Sequence, residues 1–201
     1  VTDALMLVRK RGELMENAPS GSMSAIIGLD QEIIVKICSN ISGKDNLHVQ
    51  CANLNSQNQT VISGDIVAID QAQKLCIEHG AKRAIKLNVS IASHSELMID
   101  AAKDFEKILK AVDIKMPAKE IFHNVSVGCA HSIEELYELL VSQLYKPVRW
   151  VEICDQAKLL NLPIIECGPG KVLSGLFKIN GIENYYYSSV EEFYEKIITN
   201  G

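Results

Sequence analysis

The sequence predicts an α/β protein with a compact βαββαβ unit set inside it, and three observations carry that prediction. Strand-length apolar runs alternate with amphipathic stretches of helical period along most of the 201 residues. Between Met23 and about Val89 the order becomes β-α-β-β-α-β, with a hairpin at its centre. Helix boundary residues fall where that order needs them, with Asp30 and Asp65 before the two helical runs and Gly80 after the second.

Taken in order, Thr2 to Asn17 reads as a helix with Leu5, Val8, Leu14 and Met15 as apolar positions, broken by Ala18-Pro19-Ser20-Gly21-Ser22. Met23 to Leu29 reads as a strand. Asp30 then caps a helix whose apolar face is Ile33, Ile34 and Ile37. His48 to Leu54 and Gln59 to Ser63 are the hairpin strands, joined by the turn-rich Asn55-Ser56-Gln57-Asn58. Asp65 caps a helix to about His79, with Ile69, Ala72 and Cys76 along one side, and Arg83 to Val89 closes the unit as a strand. This is the ferredoxin-like split βαβ arrangement. After Ser90-Ile91-Ala92-Ser93-His94 the chain reads as an amphipathic helix to about Val112, a strand over Ile121 to Val125 and a helix over Ser132 to Leu144. Glu134 and Glu135 favour the start of that last helix. A helix from Val148 to Leu160 and a strand from Pro163 to Glu166 follow, then a Gly168-Pro169-Gly170 turn and a helix from Lys171 to Ile179. The final elements are a strand over Tyr185 to Ser188 and a helix over Val190 to Ile198. Strands alternating with helices outside the βαββαβ unit point to a parallel sheet.

Composition narrows the function. Apolar residues make up 47% and charged residues 22%, as in a globular chain with a real core. A formal charge of -5 argues against a broad nucleic-acid-binding face. No apolar run reaches the ~18 residues of a membrane span, and no signal peptide is visible. Six cysteines, Cys38, Cys51, Cys76, Cys129, Cys154 and Cys167, contain no CxxC pair and read as buried thiols of a cytoplasmic protein. His48, His79, His123 and His131 lack metal-ligand spacing. The opening Val1-Thr2-Asp3, without an initiator Met, reads as the middle of something longer.

His94 stands between a strand and a helix, where α/β proteins place functional groups, and spacing alone leaves it open between a polar cap and a general base. Arg11 lies in Arg9-Lys10-Arg11-Gly12, which by itself reads equally as a solvated helix face. Gln143-Leu144-Tyr145-Lys146-Pro147 reads as a helix end followed by proline. Glu166-Cys167-Gly168-Pro169-Gly170-Lys171 lacks the GxxxxGK[ST] spacing of a phosphate loop and reads as a structural turn.

Together these strings resemble a known family. Val89-Ser90-Ile91-Ala92-Ser93-His94-Ser95-Glu96-Leu97-Met98 is similar to a V-S-x-x-S-H-x-x-L-M signature, and Arg11-Gly12-Glu13-Leu14-Met15 to an R-G-x-x-M helix. The segment from Gln143 to Trp150 is similar to Q-L-x-x-P-V-x-W, and that from Glu166 to Leu173 to E-x-G-P-G-K-V-L. These are motifs of the malonyl-CoA:acyl-carrier-protein transacylases, and they fall in the family's order. The resemblance covers essentially the whole chain but only the C-terminal two-thirds of the family pattern.

The resemblance implies an incomplete α/β-hydrolase-like domain (residues 1–22 and 91–201) with the ferredoxin-like subdomain inserted at 23–90. It implies malonyl transfer from malonyl-CoA to the phosphopantetheine thiol of acyl carrier protein through a serine ester, in fatty-acid synthesis, by a monomer with no cofactor or metal. His94 would be the general base and the Gln143 backbone carbonyl its orienting acceptor. Arg11 would bind the malonyl carboxylate, and Asn55 and Ser93 would face the substrate. The GxSxG elbow that carries the family's serine occurs nowhere in these 201 residues, so the chain alone is expected to be inactive. Rival readings are a discrete polyketide-type acyltransferase with another extender unit, which Ile91-Ala92-Ser93-His94 also resembles, an acyl hydrolase, against which Arg11 argues, and a non-catalytic fragment that binds carrier protein.

Overall fold

The computed structural model describes residues 1–168, 170–183 and 185–187, the last three through their backbone. It forms two compact units, Val1–Trp150 and Val151–Gly201.

The first unit opens with α1 (Thr2–Glu16). Its solvent face pairs Arg9 Nε and Lys10 Nζ with Glu13, each at 2.8 Å. A four-stranded sheet follows, built from β1 (Ser22–Ile27), β2 (Val49–Ser56), β3 (Gln59–Gly64) and β4 (Arg83–Lys86). Its order is β2-β3-β1-β4, antiparallel throughout. The helices α2 (Gln31–Ile41) and α3 (Ile66–Glu78) complete the βαββαβ order.

The inner strands β1 and β3 are buried on both faces, whereas the edge strand β4 is largely exposed. Ile26 and Ile62 pack with Ile34, Ile37, Ile69 and Ala72 of the two helices, whereas Met23, Ala25, Ala52 and Val61 form a second apolar layer. Each fully buried isoleucine here stabilises the fold by about 1.5–3 kcal/mol relative to exposure. Asp30 caps α2 through Oδ1, which accepts from the Glu32 amide at 2.8 Å. Asp65 stands before α3 but its carboxylate makes no cap. It accepts instead from the His48 amide at 2.7 Å, because the chain entering β2 runs beside it. Gly64 lies so close to the His48 carbonyl that a Cβ has no room there.

The hairpin is tighter than the sequence predicts. Only Gln57 and Asn58 form the turn, and β2 runs on through Ser56. The extra length is absorbed by two register shifts, one between Cys51 and Asn53 and one between Leu54 and Ser56. Ala52 and Asn55 are thus the inserted residues of two β-bulges. Strand β4 is shorter than expected and stops at Lys86. Single hydrogen bonds then carry the chain alongside β1, Leu87 N to Met23 O and Gly21 N to Ser90 O.

Helices and irregular connections make up the rest of the first unit. The chain passes His94 into a 3-10 turn at Glu96–Met98 and then α4 (Ile99–Lys110). After α5 (Ile133–Ser142), Val148 bridges in parallel to Asn53 of β2. Met15, Met98, Ala102, Phe105, Leu109 and Leu144 form the core between α1, α4 and α5. Ser132 Oγ caps α5 by accepting from the Glu135 amide at 3.1 Å.

Two expected elements differ here. Ile121 to Val125 forms no strand, since among the described residues no strand lies beside it to supply a ladder. A turn at His123–Gly128 takes up its backbone instead, with Val127 N bonded to His123 O at 2.9 Å. The next helix, α6 (Trp150–Leu160), starts two residues later than expected. Val148 is held on β2, and the Arg149 amide donates to Asn124 O at 3.0 Å.

In the second unit, β5 (Ile164–Glu166) and β6 (Tyr185–Tyr187) pair in parallel, with α7 (Val172–Ile179) between them in sequence. Ser188 and the expected helix over Val190 to Ile198 lie outside the described residues. The six thiols are free, but only four are buried. Cys129 is half-buried and Cys167 exposed, which corrects the expectation for those two.

Candidate active site

His94 has φ 59, in the left-handed region that histidine enters more readily than most side chains do. Its surroundings over-determine that conformation. The His94 amide donates to Leu144 O at 2.9 Å, and its carbonyl accepts from Gln50 Nε2 at 2.9 Å. The imidazole Nδ1 lies 2.8 Å from the carbonyl of Gln143. A carbonyl only accepts, so this contact puts the proton on Nδ1 and leaves Nε2 of the neutral ring as an acceptor.

The electrostatics favour the neutral ring. Burial lowers the His94 pKa below the usual imidazole value, and the positive charge of Arg11 lowers it further. The backbone of Gln143 and of Lys146 opposes both. A half-buried imidazole that is neutral near pH 7 can accept a proton there.

Arg11 occupies the opposite side of the question raised by its sequence. Arg9 and Lys10 are the solvated pair, bound to Glu13, while Arg11 is half-buried. Its Nε is fully buried with no hydrogen-bond partner among the described residues. Burial lowers its pKa, yet a guanidinium keeps its charge at any ordinary pH. A desolvated, planar, underused donor set is suited to a carboxylate.

The structure therefore brings His94, Gln143 and Arg11 into one neighbourhood. Asn55 is half-buried at the second bulge of β2, and Ser93 is half-buried directly before His94. Gln143 also lines an apolar cleft of about 380 Å³ with Leu136, Leu139, Leu140 and His123. Sequence reasoning missed Gln50 and the His48–Glu96 pair, whose Nδ1 and Oε2 are 2.9 Å apart. A faint signal existed: Val49 and Cys51 are core residues, so alternation turns His48 and Gln50 to the other face.

Glu166, in the second unit, behaves differently. The Glu166 carboxylate accepts from the Leu173 amide at 3.0 Å, the Ser174 amide at 2.9 Å and the Ser174 hydroxyl at 2.5 Å. The start of α7 is thereby filled by the protein's own anion. The Ser174 hydroxyl, followed by the amides of Ser174, Leu173 and Val172, holds this carboxyl below the usual carboxylate range against the opposing effect of burial. Among the described residues no cluster of His, Cys, Asp or Glu could hold a metal ion, and no helix is long and apolar enough to cross a membrane.

An imidazole fixed through Nδ1 and a guanidinium near it, with a buried Nε unpartnered among the described residues, can together take a proton and hold an anion. No family model matches the chain. Malonyl CoA-acyl carrier protein transacylase of Bacillus subtilis is 43% identical over 180 residues, covering 88% of this chain and 56% of that protein. The crystal structure of FabD from Acinetobacter baumannii superposes with a TM-score of 0.90 at 35% identity, covering 98% of this chain and 64% of that one. A malonyl-transacylase solved in complex with its type II PKS acyl-carrier protein gives a TM-score of 0.85 at 36% identity, covering 94% and 62%. By sequence and fold, the chain is similar to the malonyl-CoA:acyl-carrier-protein transacylases over these spans. It spans less than two thirds of the length of these relatives.

Proposed function

We propose that these residues form the base and carboxylate-binding half of a malonyl-transfer site. The observation that carries this reading is the 2.8 Å contact from His94 Nδ1 to Gln143 O, which leaves Nε2 as a proton acceptor. The nucleophilic serine belongs to residues outside these 201, since no GxSxG occurs within them. In the complete protein that serine attacks the thioester carbonyl of malonyl-CoA, and His94 Nε2 takes its proton. The proton then leaves with the CoA sulfur as a thiol. The phosphopantetheine thiol of acyl carrier protein next gives its proton to Nε2 and attacks the ester, and the serine recovers a proton from His94. Arg11 holds the free malonyl carboxylate throughout, and Asn55 and Ser93 face the acyl group.

The same reading divides the chain into a ferredoxin-like subdomain over 23–90 and α/β-hydrolase-like parts over 1–22 and 91–201. The sheet order β2-β3-β1-β4 supports the first assignment, and the parallel pairing of β5 with β6 supports the second. It also places the protein in the cytoplasm, in fatty-acid synthesis, as a monomer.

The test is Arg11→Ala in the full-length protein, with malonyl-CoA and acetyl-CoA compared as donors. Loss of a bidentate carboxylate contact should lower kcat/KM for malonyl transfer by about 10²-fold, or roughly 3 kcal/mol. Acetyl transfer should change little. Equal losses for both donors would remove the carboxylate role.

A further inference from the structure

The imidazole of His94 owes its bearing to two chain segments held at a fixed separation: the loop that carries it and the stretch after α5 that supplies the Gln143 carbonyl. One side chain from β2 touches both. Gln50 Nε2 lies 2.9 Å from His94 O and 3.0 Å from Tyr145 O. An amide nitrogen has two hydrogens, so both are used. Both partners are backbone carbonyls, which only accept, and this settles which end of the Gln50 amide faces them.

The grip falls at the most constrained points of each segment. His94 O belongs to the residue at φ 59, a conformation that persists only where neighbours enforce it. Tyr145 is two residues beyond Gln143, in a tight turn where the Lys146 amide donates to Ser142 O at 2.8 Å. Strand β2 is itself anchored to this stretch, through Val148 N to Ala52 O at 2.8 Å and Leu54 N to Val148 O at 2.9 Å. The neighbouring His48–Glu96 pair joins β2 to the turn after His94 but is exposed at both ends, where an ion pair adds little.

We propose that Gln50 is a positioning residue for His94, clamping the His94 and Tyr145 carbonyls so that Nδ1 stays on Gln143 O and Nε2 keeps its bearing. The inference rests on the reading of His94 as the base of an acyl transfer, and it extends the site to a residue of the βαββαβ unit.

The decisive variant is Gln50→Met in the full-length protein, which keeps the side chain's length and removes both donors. Ring ¹⁵N shifts of His94 should show the Nδ1–H tautomer losing its dominance, and exchange of the His94 amide should speed up by tenfold or more. Transfer kcat should fall by about tenfold to a hundredfold, the scale of a small misplacement, with KM for malonyl-CoA unchanged. Unchanged ring shifts and amide exchange would overturn the clamp even if transfer persisted. A moved ring signature in the variant, with the unaltered full-length protein itself transferring nothing, would keep the clamp and remove the transfer reading. Should the Met variant fail to fold, the side-chain amide of Gln50 in the unaltered protein decides. Gln50 lines a cavity of about 330 Å³ with His48, Ser95 and Glu96, so water reaches it. Slowed exchange of its NH₂ protons supports the clamp, and exchange at the rate of a free amide overturns it.

Discussion

Two strand-to-helix connections in this chain carry the motifs that stand out in its sequence, and they resolve their polar groups in opposite ways. After β5, Glu166 fills the start of α7 with three hydrogen bonds from Leu173 and Ser174, so the turn meets its own needs. After β4, the connection through His94 secures the imidazole at Nδ1, and the nearby Arg11 keeps a buried Nε with no partner among the described residues. A self-satisfied turn gives up stability when disturbed. A turn with unused donors and acceptors is tested instead through binding and chemistry, because buried polar groups are ordinarily paired.

The largest expected effect tests the open turn. His94→Ala in the full-length protein should cost about 10²–10⁴-fold in transfer rate, the range for general base catalysis. A loss below tenfold would show that this turn is as structural as the other. A smaller effect tests the closed turn. Glu166→Ala should cost about 1–2 kcal/mol in thermal or urea unfolding, as removal of a helix cap does, and leave the transfer rate per folded molecule unchanged. A rate loss without a stability loss would reverse the contrast.

The smallest effect separates the two turns by pH. Both groups are depressed in the folded state, so each contributes stability above its unfolded pKa that is lost as pH falls. For His94 that loss begins below about pH 6.5, and for Glu166 below about pH 4.3. His123 is also lowered by burial and adds to the upper window. Unfolding curves between pH 7 and pH 5 should therefore flatten in His94→Gln relative to the unaltered protein, while Glu166→Gln keeps the upper slope and flattens the lower one. Identical slopes in His94→Gln and the parent would mean that the His94 pKa does not change on folding.

Much of this contrast was legible in sequence, for identifiable reasons. Short-range signals carried the βαββαβ order: the Asp30 cap acts within two residues, and Gly80 ends α3 at φ 101. The roles proposed for His94, Arg11 and Gln143 rest on the resemblance, since a histidine before a helix and an arginine beside Arg9 and Lys10 are ambiguous alone. Asp65 was misread as a cap because its partner, the His48 amide, is seventeen residues away. Ile121 to Val125 has strand-forming side chains, but a strand also needs a neighbour, which composition does not supply. Gln50 was invisible for the same reason, its partners lying forty-four and ninety-five residues downstream.

The two bulges of β2 act on its alternation as frameshifts act on a message. Val49 and Cys51 face the helices, and simple alternation would send Asn53 after them. The extra residue Ala52 shifts the phase, so that Leu54 packs on that layer while Ala52 joins the opposite one. Asn55 shifts the phase back before the turn. Changing the length of this strand by one residue re-aims every side chain up to the next irregularity. A paired change leaves both ends in phase, so His48 and Gln50 at one end and the hairpin at the other vary independently of what lies between them.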